Sequence, residues 1–315
     1  MAKDKPAPNL GHPRHWPMWL GVGMLWMATR LPWRLQIRMG ELFGDVAWLL
    51  ARHRRHVAQV NIDLCFPDRD PAERRRLVRE HFRAMGAALF ETPFGWWADD
   101  SRLQPLAHIE GLEHLKAALA RGKGVLLLSA HFTTLEITGR LLVPHQPFAA
   151  MYRPHENPVL EYCFRRNRER HCLRAVRRDK VKDVIRALRD NLVVWYAPDQ
   201  AYKARNSTIV PFFGVPAATN NATARLAKVS GAPVIPFFSH RLPDRSGYRL
   251  VIGEPLEGFP VDDPEADTRR INAVIEQAVL QAPAQYFWTH RRFKYKRRWG
   301  IPDPYAKGSG NQPTR

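Results

Sequence analysis

His131 and Glu136 stand five residues apart in the run Ala130-His-Phe-Thr-Thr-Leu-Glu136, and together these two types suggest proton transfer. An imidazole takes or gives a proton near neutral pH, and a carboxylate on its far nitrogen fixes the tautomer and steadies the imidazolium. The spacing restricts how they can meet. On a regular helix five residues turn through about 500°, which leaves roughly 140° between the side chains. The pair can touch only if His131 lies ahead of the helix, on a loop leaving a strand, with Glu136 in the first turn. A second reading competes: Thr133 and Glu136 form a Thr-x-x-Glu capping box, in which Glu136 closes a helix end and His131 is a loop residue. A carboxylate has two oxygens, so both can hold.

The surrounding pattern supplies the required strand and helix. Val125-Leu-Leu-Leu-Ser129 follows Gly122 and Gly124 and reads as a buried strand, with a helix over 131–142. Further strands are predicted near 148–152, 192–197, 233–238 and 248–252. Helices are predicted over 157–171, 181–189, 219–230 and 264–282. Strands alternating with helices predict an α/β domain, and sites in such sheets collect at strand-end loops. Upstream, residues 34–64 carry a helical apolar stripe, and 71–95 read as one or two helices with Asp70 as N-cap and Pro71 in the first turn. Gly122-Lys-Gly124 is too short for a phosphate loop, so no nucleotide or metal motif is present. Three cysteines without a Cys-x-x-Cys pair favour neither a disulfide framework nor zinc.

The segment Arg121-Gly-Lys-Gly-Val-Leu-Leu-Leu-Ser-Ala-His-Phe-Thr-Thr-Leu-Glu136 resembles the H-x-x-x-x-[DE] block of the lysophospholipid acyltransferase superfamily. It is most similar to the late acyltransferases of lipid A assembly. Asn61-Ile-Asp-Leu-Cys-Phe-Pro67, Val194-Trp-Tyr-Ala-Pro-Asp-Gln200 and Trp288-Thr-His-Arg-Arg-Phe293 agree in order, and the likeness runs from about 16 to 300. It implies a mixed sheet flanked by helices, as in glycerol-3-phosphate acyltransferase, behind a hydrophobic anchor helix. It implies His131 as general base with Glu136 as its partner, and Arg168 and Asp199 in support. Arg153, in Tyr152-Arg-Pro-His-Glu-Asn-Pro158, and Arg291 and Arg292 are further substrate-binding or supporting positions. Gln200 departs from the His or Glu usual after that aspartate. From spacing alone Arg165, Arg166 and Arg170 rival Arg168. The implied reaction moves a fatty acyl chain, lauroyl-like from the wording of the Trp-Tyr-Ala-Pro-Asp block, from acyl carrier protein to a hydroxyacyl chain of a Kdo-bearing lipid IVA precursor. The thioester is a co-substrate, and no cofactor is implied. Either Arg168 or backbone N–H groups near Thr133 would hold the oxyanion.

The 315 residues carry a formal net charge of +19, which calls for acidic partners. The implied acyl carrier protein, an anionic membrane and a phosphorylated glycolipid all qualify. Thr289-His-Arg-Arg-Phe-Lys-Tyr-Lys-Arg-Arg-Trp299 interleaves cations with aromatics, a pattern that suits lipid phosphates or nucleic acid. The tryptophan-rich run 16–29 favours lipid over nucleic acid, and no nucleic-acid partner is expected. That run is shorter than the roughly 20 apolar residues of a spanning helix, so the predicted anchor, 15–37, either spans briefly or lies in the interface. The predicted organisation is a disordered tail (1–14), this anchor, an acyltransferase domain (38–300) and a flexible tail (301–315), at the inner membrane with the domain on the cytoplasmic side.

Overall fold

A computed structural model describes residues 9–202, 207–295 and 300–306. The chain opens with α1 (Trp16–Ala28), α2 (Trp33–Leu50), α3 (Arg52–Cys65), α4 (Pro71–Trp97) and the short α5 (Asp100–Leu103). Then follow β1 (Ala107–Glu110), α6 (Leu112–Leu119), β2 (Val125–Leu128), α7 (Leu135–Leu142), β3 (Ala149–Tyr152), α8 (Pro158–His171), β4 (Arg174–Arg177), α9 (Val181–Arg189) and β5 (Val193–Tyr196). The hairpin β6 (Ser207–Phe212) and β7 (Val215–Asn220) precedes α10 (Ala222–Ser230), β8 (Val234–Arg241), β9 (Tyr248–Ile252) and α11 (Pro264–Gln281).

Seven strands form one mixed sheet in the order β1-β9-β8-β2-β5-β3-β4, and β6 and β7 pair separately. Every pairing in the large sheet is parallel except β8 with β9. This is the predicted α/β class with helices on both faces. The alternation along β2 shows why: Leu126 and Leu128 pack with α3, α9, α10 and α11, whereas Val125 and Leu127 pack with α6 and α7. A strand buried on both faces reads as a continuous apolar run.

Several elements differ from expectation. Residues 34–64 break at Ala51 into α2 and α3, whereas 71–97 stay one helix with Pro93 inside it. The helix predicted from 219 starts at Ala222, because 215–220 pair with β6 around a two-residue turn, Phe213-Gly214, both at positive φ. Tyr305 is buried, and its hydroxyl donates to Asn61 Oδ1 at 2.5 Å, so residues 301–306 are held and not a loose tail. Expectations for residues 1–8, 307–315 and the basic stretch 296–299 lie outside the described residues.

The anchor helix is a correction. Among the described residues no helix is long and apolar enough to cross a membrane. The apolar run ends at Ala28 after 13 residues. Pro32 caps a new helix that carries Arg34 and Arg38 and continues past residue 37. Both helices nonetheless expose large apolar side chains, Trp16, Leu20, Met24 and Met27 on α1 and Leu42, Phe43, Val46 and Leu50 on α2. On α1 those four positions follow a helical repeat and share one face.

Glycines bring α2 against α4. A Cβ on Gly86 would overlap the Gly40 carbonyl oxygen, and one on Gly44 would overlap the Phe82 carbonyl. Further along α4, Glu91 pairs with the Arg241 guanidinium and accepts from Tyr248 Oη at 2.5 Å. Crowding a closely packed interface costs about 1–3 kcal/mol. Gly86→Val is therefore expected to lower stability by about 3 kcal/mol in urea unfolding, while Gly23→Ala, within α1 at ordinary helical φ and with no atom of the described residues within 4 Å of the added carbon, leaves stability undiminished.

Candidate active site

The site forms at the C-terminal ends of β2 and β5. These neighbours are parallel, with Leu128 opposite Tyr196. Three residues on from each partner stand His131 and Asp199, so strand register carries them to the same height. Ser129 N donates to Tyr196 O at 2.8 Å and keeps the two chains together past the strand ends. His131 Nδ1 meets Asp199 Oδ1 at 2.6 Å, and the His131 backbone N–H donates to Oδ2 at 3.1 Å. Asp199 is 2% exposed and the imidazole 30%. One nitrogen is held by a buried carboxylate, and among the described residues no hydrogen bond engages Nε2.

The partner expected for His131 is thus replaced. Asp199 takes the imidazole, and Glu136 pairs with Arg168 of α8. Thr133 does not form the capping box: Thr134 is the N-cap of α7, without a side-chain cap bond. The Thr133 N–H donates to Gln285 O at 2.8 Å, so that backbone group is not free for an oxyanion. His131 does precede the helix, as the spacing required. Arg168 is set apart from its rivals on α8, because Arg165 pairs with Glu169 and Arg166 with Tyr162. Its guanidinium lies over the rings of Tyr152 (5.5 Å) and Phe164 (5.3 Å).

Charge coupling follows from this geometry. Burial disfavours the imidazolium, but the charge and hydrogen bond of Asp199 outweigh it, so the His131 pKa lies above its ordinary 6.5; Arg168 opposes this at longer range. Burial would raise the Asp199 carboxyl, yet the His131 charge and hydrogen bonds, with Arg292, hold it at about 2. The Asp199 contribution to stability is therefore present above pH 3.8 and lost as pH falls through about 2. The contribution of protonated His131 is complete below pH 6.5 and lost as pH rises through its higher folded value.

The C-terminal segment walls the site. His131, Asp199, Gln200, Tyr286, His290 and Arg292 line one small cavity with Asn61. Phe287 N donates to His131 O at 3.0 Å, and Phe132 bridges Tyr286. Asn61 Nδ2 donates to Trp288 O at 2.6 Å and to His290 O at 2.7 Å. Burial pushes His290 down to about 4, and its neutral Nε2 accepts from Ala201 N at 3.1 Å, two residues from Asp199. Asn61 and His290 both sit in the recognised blocks, yet nothing in their local spacing marks them as supports.

The predicted arginines divide. Arg292 is 2% exposed and donates to Ala218 O (3.1 Å) and Thr219 Oγ1 (2.7 Å). It fastens the β6–β7 hairpin and is not a solvated group waiting for lipid phosphate. Arg291 lies over Tyr305 (5.4 Å) beside His53. Arg153, at the end of β3, is 62% exposed and pairs with Glu156 at 3.3 Å.

With this geometry established, comparison identifies its kind. The profile of the bacterial lipid A biosynthesis acyltransferases matches residues 4–295. The chain is 39% identical to the lipid A biosynthesis palmitoleoyltransferase of Escherichia coli (strain K12), covering 90% of this chain and 92% of the relative. It is 38% identical to the lauroyltransferase of the same organism, covering 93% and 96%. With its myristoyltransferase it shares 31%, covering 94% and 92%.

If neutral His131 is the working form, activity rises with pH through its raised pKa. Asp199→Asn keeps a hydrogen-bond acceptor but removes the charge, which leaves burial and Arg168 to depress that pKa. The acid limb of kcat/KM is expected to move to lower pH, with a rate loss of about a hundredfold or more; an unmoved limb would separate Asp199 from the base.

Proposed function

The chain belongs to the bacterial lipid A biosynthesis acyltransferases, and on that premise we propose that it transfers a lauroyl-like chain from acyl carrier protein to a hydroxyacyl chain of a Kdo-bearing lipid IVA precursor. The observation that carries the mechanism is the buried Asp199 carboxylate on His131 Nδ1. Nε2 takes the proton of the lipid hydroxyl, and that oxygen attacks the thioester carbonyl. The resulting oxyanion forms beside Arg168, whose guanidinium has five N–H donors and spends only part of them on Glu136. Collapse expels the thiolate, which recovers the proton from the imidazolium. Glu136 thus acts through Arg168 by fixing its direction. The donor is already an activated thioester, so no acyl-enzyme is needed.

The acceptor is an amphiphile, and the apolar stripes on α1 and α2 support a body lying in the plane of the inner membrane on its cytoplasmic side, with the cations about the helices meeting acidic head groups. Chain length has a second reading, because the palmitoleoyl relative is as similar as the lauroyl one.

Purified protein supplied with lauroyl carrier protein and Kdo-lipid IVA is expected to yield a product heavier by one lauroyl chain in mass spectrometry. His131→Ala is expected to fold and to lose about a hundred- to ten-thousandfold in rate. Near-wild-type turnover by that variant would remove the general base from the mechanism. Preference for a palmitoleoyl donor would decide for the second reading.

A further inference from the structure

The mechanism leaves unused a basic surface at the β4 edge of the sheet. Besides Arg168, residues 165–189 on α8, β4 and α9 carry ten Lys and Arg against three Asp and Glu. Two of those acids are engaged locally, Glu169 with Arg165 at 3.5 Å and Asp179 with Arg177 at 3.0 Å. Arg170, Arg174, Arg178, Lys180, Lys182 and Arg186 are exposed and lack an ion-pair partner among the described residues. Folding does not explain all of them. Lys180 and Lys182 flank the start of α9, the end of a helix at which positive charge is unfavourable.

The position of this surface is informative. Strands β2, β5, β3 and β4 are consecutive and parallel, so Arg178 and Lys180, just past β4, lie at the same sheet end as His131 and Asp199. Neighbouring strands are about 4.8 Å apart, which puts the end of β4 roughly 15 Å from that of β2. The composition is also informative. Leu173 and Val181 are the large apolar side chains exposed within 165–189, whereas among the described residues the exposed tryptophans, Trp16 and Trp26, belong to α1. A lipid-facing surface is expected to resemble α1, with aromatic and aliphatic groups to insert. A surface of unpaired cations with little apolar area suits an acidic protein held by complementary charge.

We infer that the α8–β4–α9 surface docks the acidic acyl carrier protein and presents its thioester to His131 from the β4 side. This rests on the proposed reaction and adds the place at which the donor binds. The test compares two charge reversals of equal size. Arg178→Glu with Lys182→Glu changes the proposed dock, and Arg121→Glu with Lys123→Glu changes exposed cations before β2, at the opposite sheet end.

The first pair is expected to weaken carrier binding at low salt at least tenfold and to raise KM for lauroyl carrier protein at least tenfold. Turnover of the neutral thioester lauroyl-pantetheine and binding to phosphatidylglycerol vesicles should be unchanged. The second pair should match wild type in all three assays. Equal losses from both pairs, equal losses with both donors, or a loss of vesicle binding in place of carrier binding would each overturn the dock. Wild-type protein that binds the carrier through this surface but transfers no acyl chain would refute the proposed reaction and leave the dock standing.

Discussion

The hydrogen-bonded register between β2 and β5 is the constraint on which the site depends. Leu128 faces Tyr196, and the same offset three residues later brings His131 to Asp199 at 2.6 Å. A one-residue slip would turn every side chain of the strand to the other face. Both strands are buried on both faces between two apolar clusters, so a slip would also disturb the core. The interaction that sets the basicity of the imidazole is thereby tied to the stability of the sheet. The Asp199 carboxylate is buried, yet its charge is answered by the imidazole, the His131 N–H and the field of Arg292, the condition under which a buried charge is tolerated.

The wall of the site has a different origin. Residues 284–293 have little regular structure and depend on bonds to distant elements: Asn61 from α3, Gln285 with the His131 loop, and Arg292 with the hairpin. Irregular backbone in an interior needs such partners for each polar group. A segment that looks basic and exposed in the sequence therefore becomes a buried strap, with Trp288 1% and Phe293 0% exposed.

Much of this was legible in the sequence where the signal is local. The apolar run 125–128 announced a buried strand, and the five-residue spacing placed His131 ahead of its helix. Asp199 directly follows Pro198 at the end of an apolar strand, a kind of position where ionisable residues are often functional. The partner of His131 was not legible from local spacing, since parallel register is set by residues some seventy positions apart and the nearer carboxylate, Glu136, was the natural choice. Thr133 and Glu136 fit a capping box by type, but the fold gives the Glu136 carboxylate to Arg168 and leaves the Thr133 hydroxyl buried without a hydrogen-bond partner among the described residues. The short strands β1 and β4 have mixed burial and lack the long apolar runs that reveal β2 and β5. The apolar run at 16–29 resembled an anchor until Pro32 divided it from the helix that follows.

The glycine contact between α2 and α4 has a mechanical consequence. Gly40, Gly44 and Gly86 let two backbones touch with no side chains between them to act as a cushion. α4 in turn packs on α7, where Gly95 lies against Ile137, and α7 follows directly on the His131 loop. The apolar stripe of α2 and the imidazole thus belong to one stiff lever. A displacement of that stripe is therefore carried to the His131 loop through backbone contacts with little give.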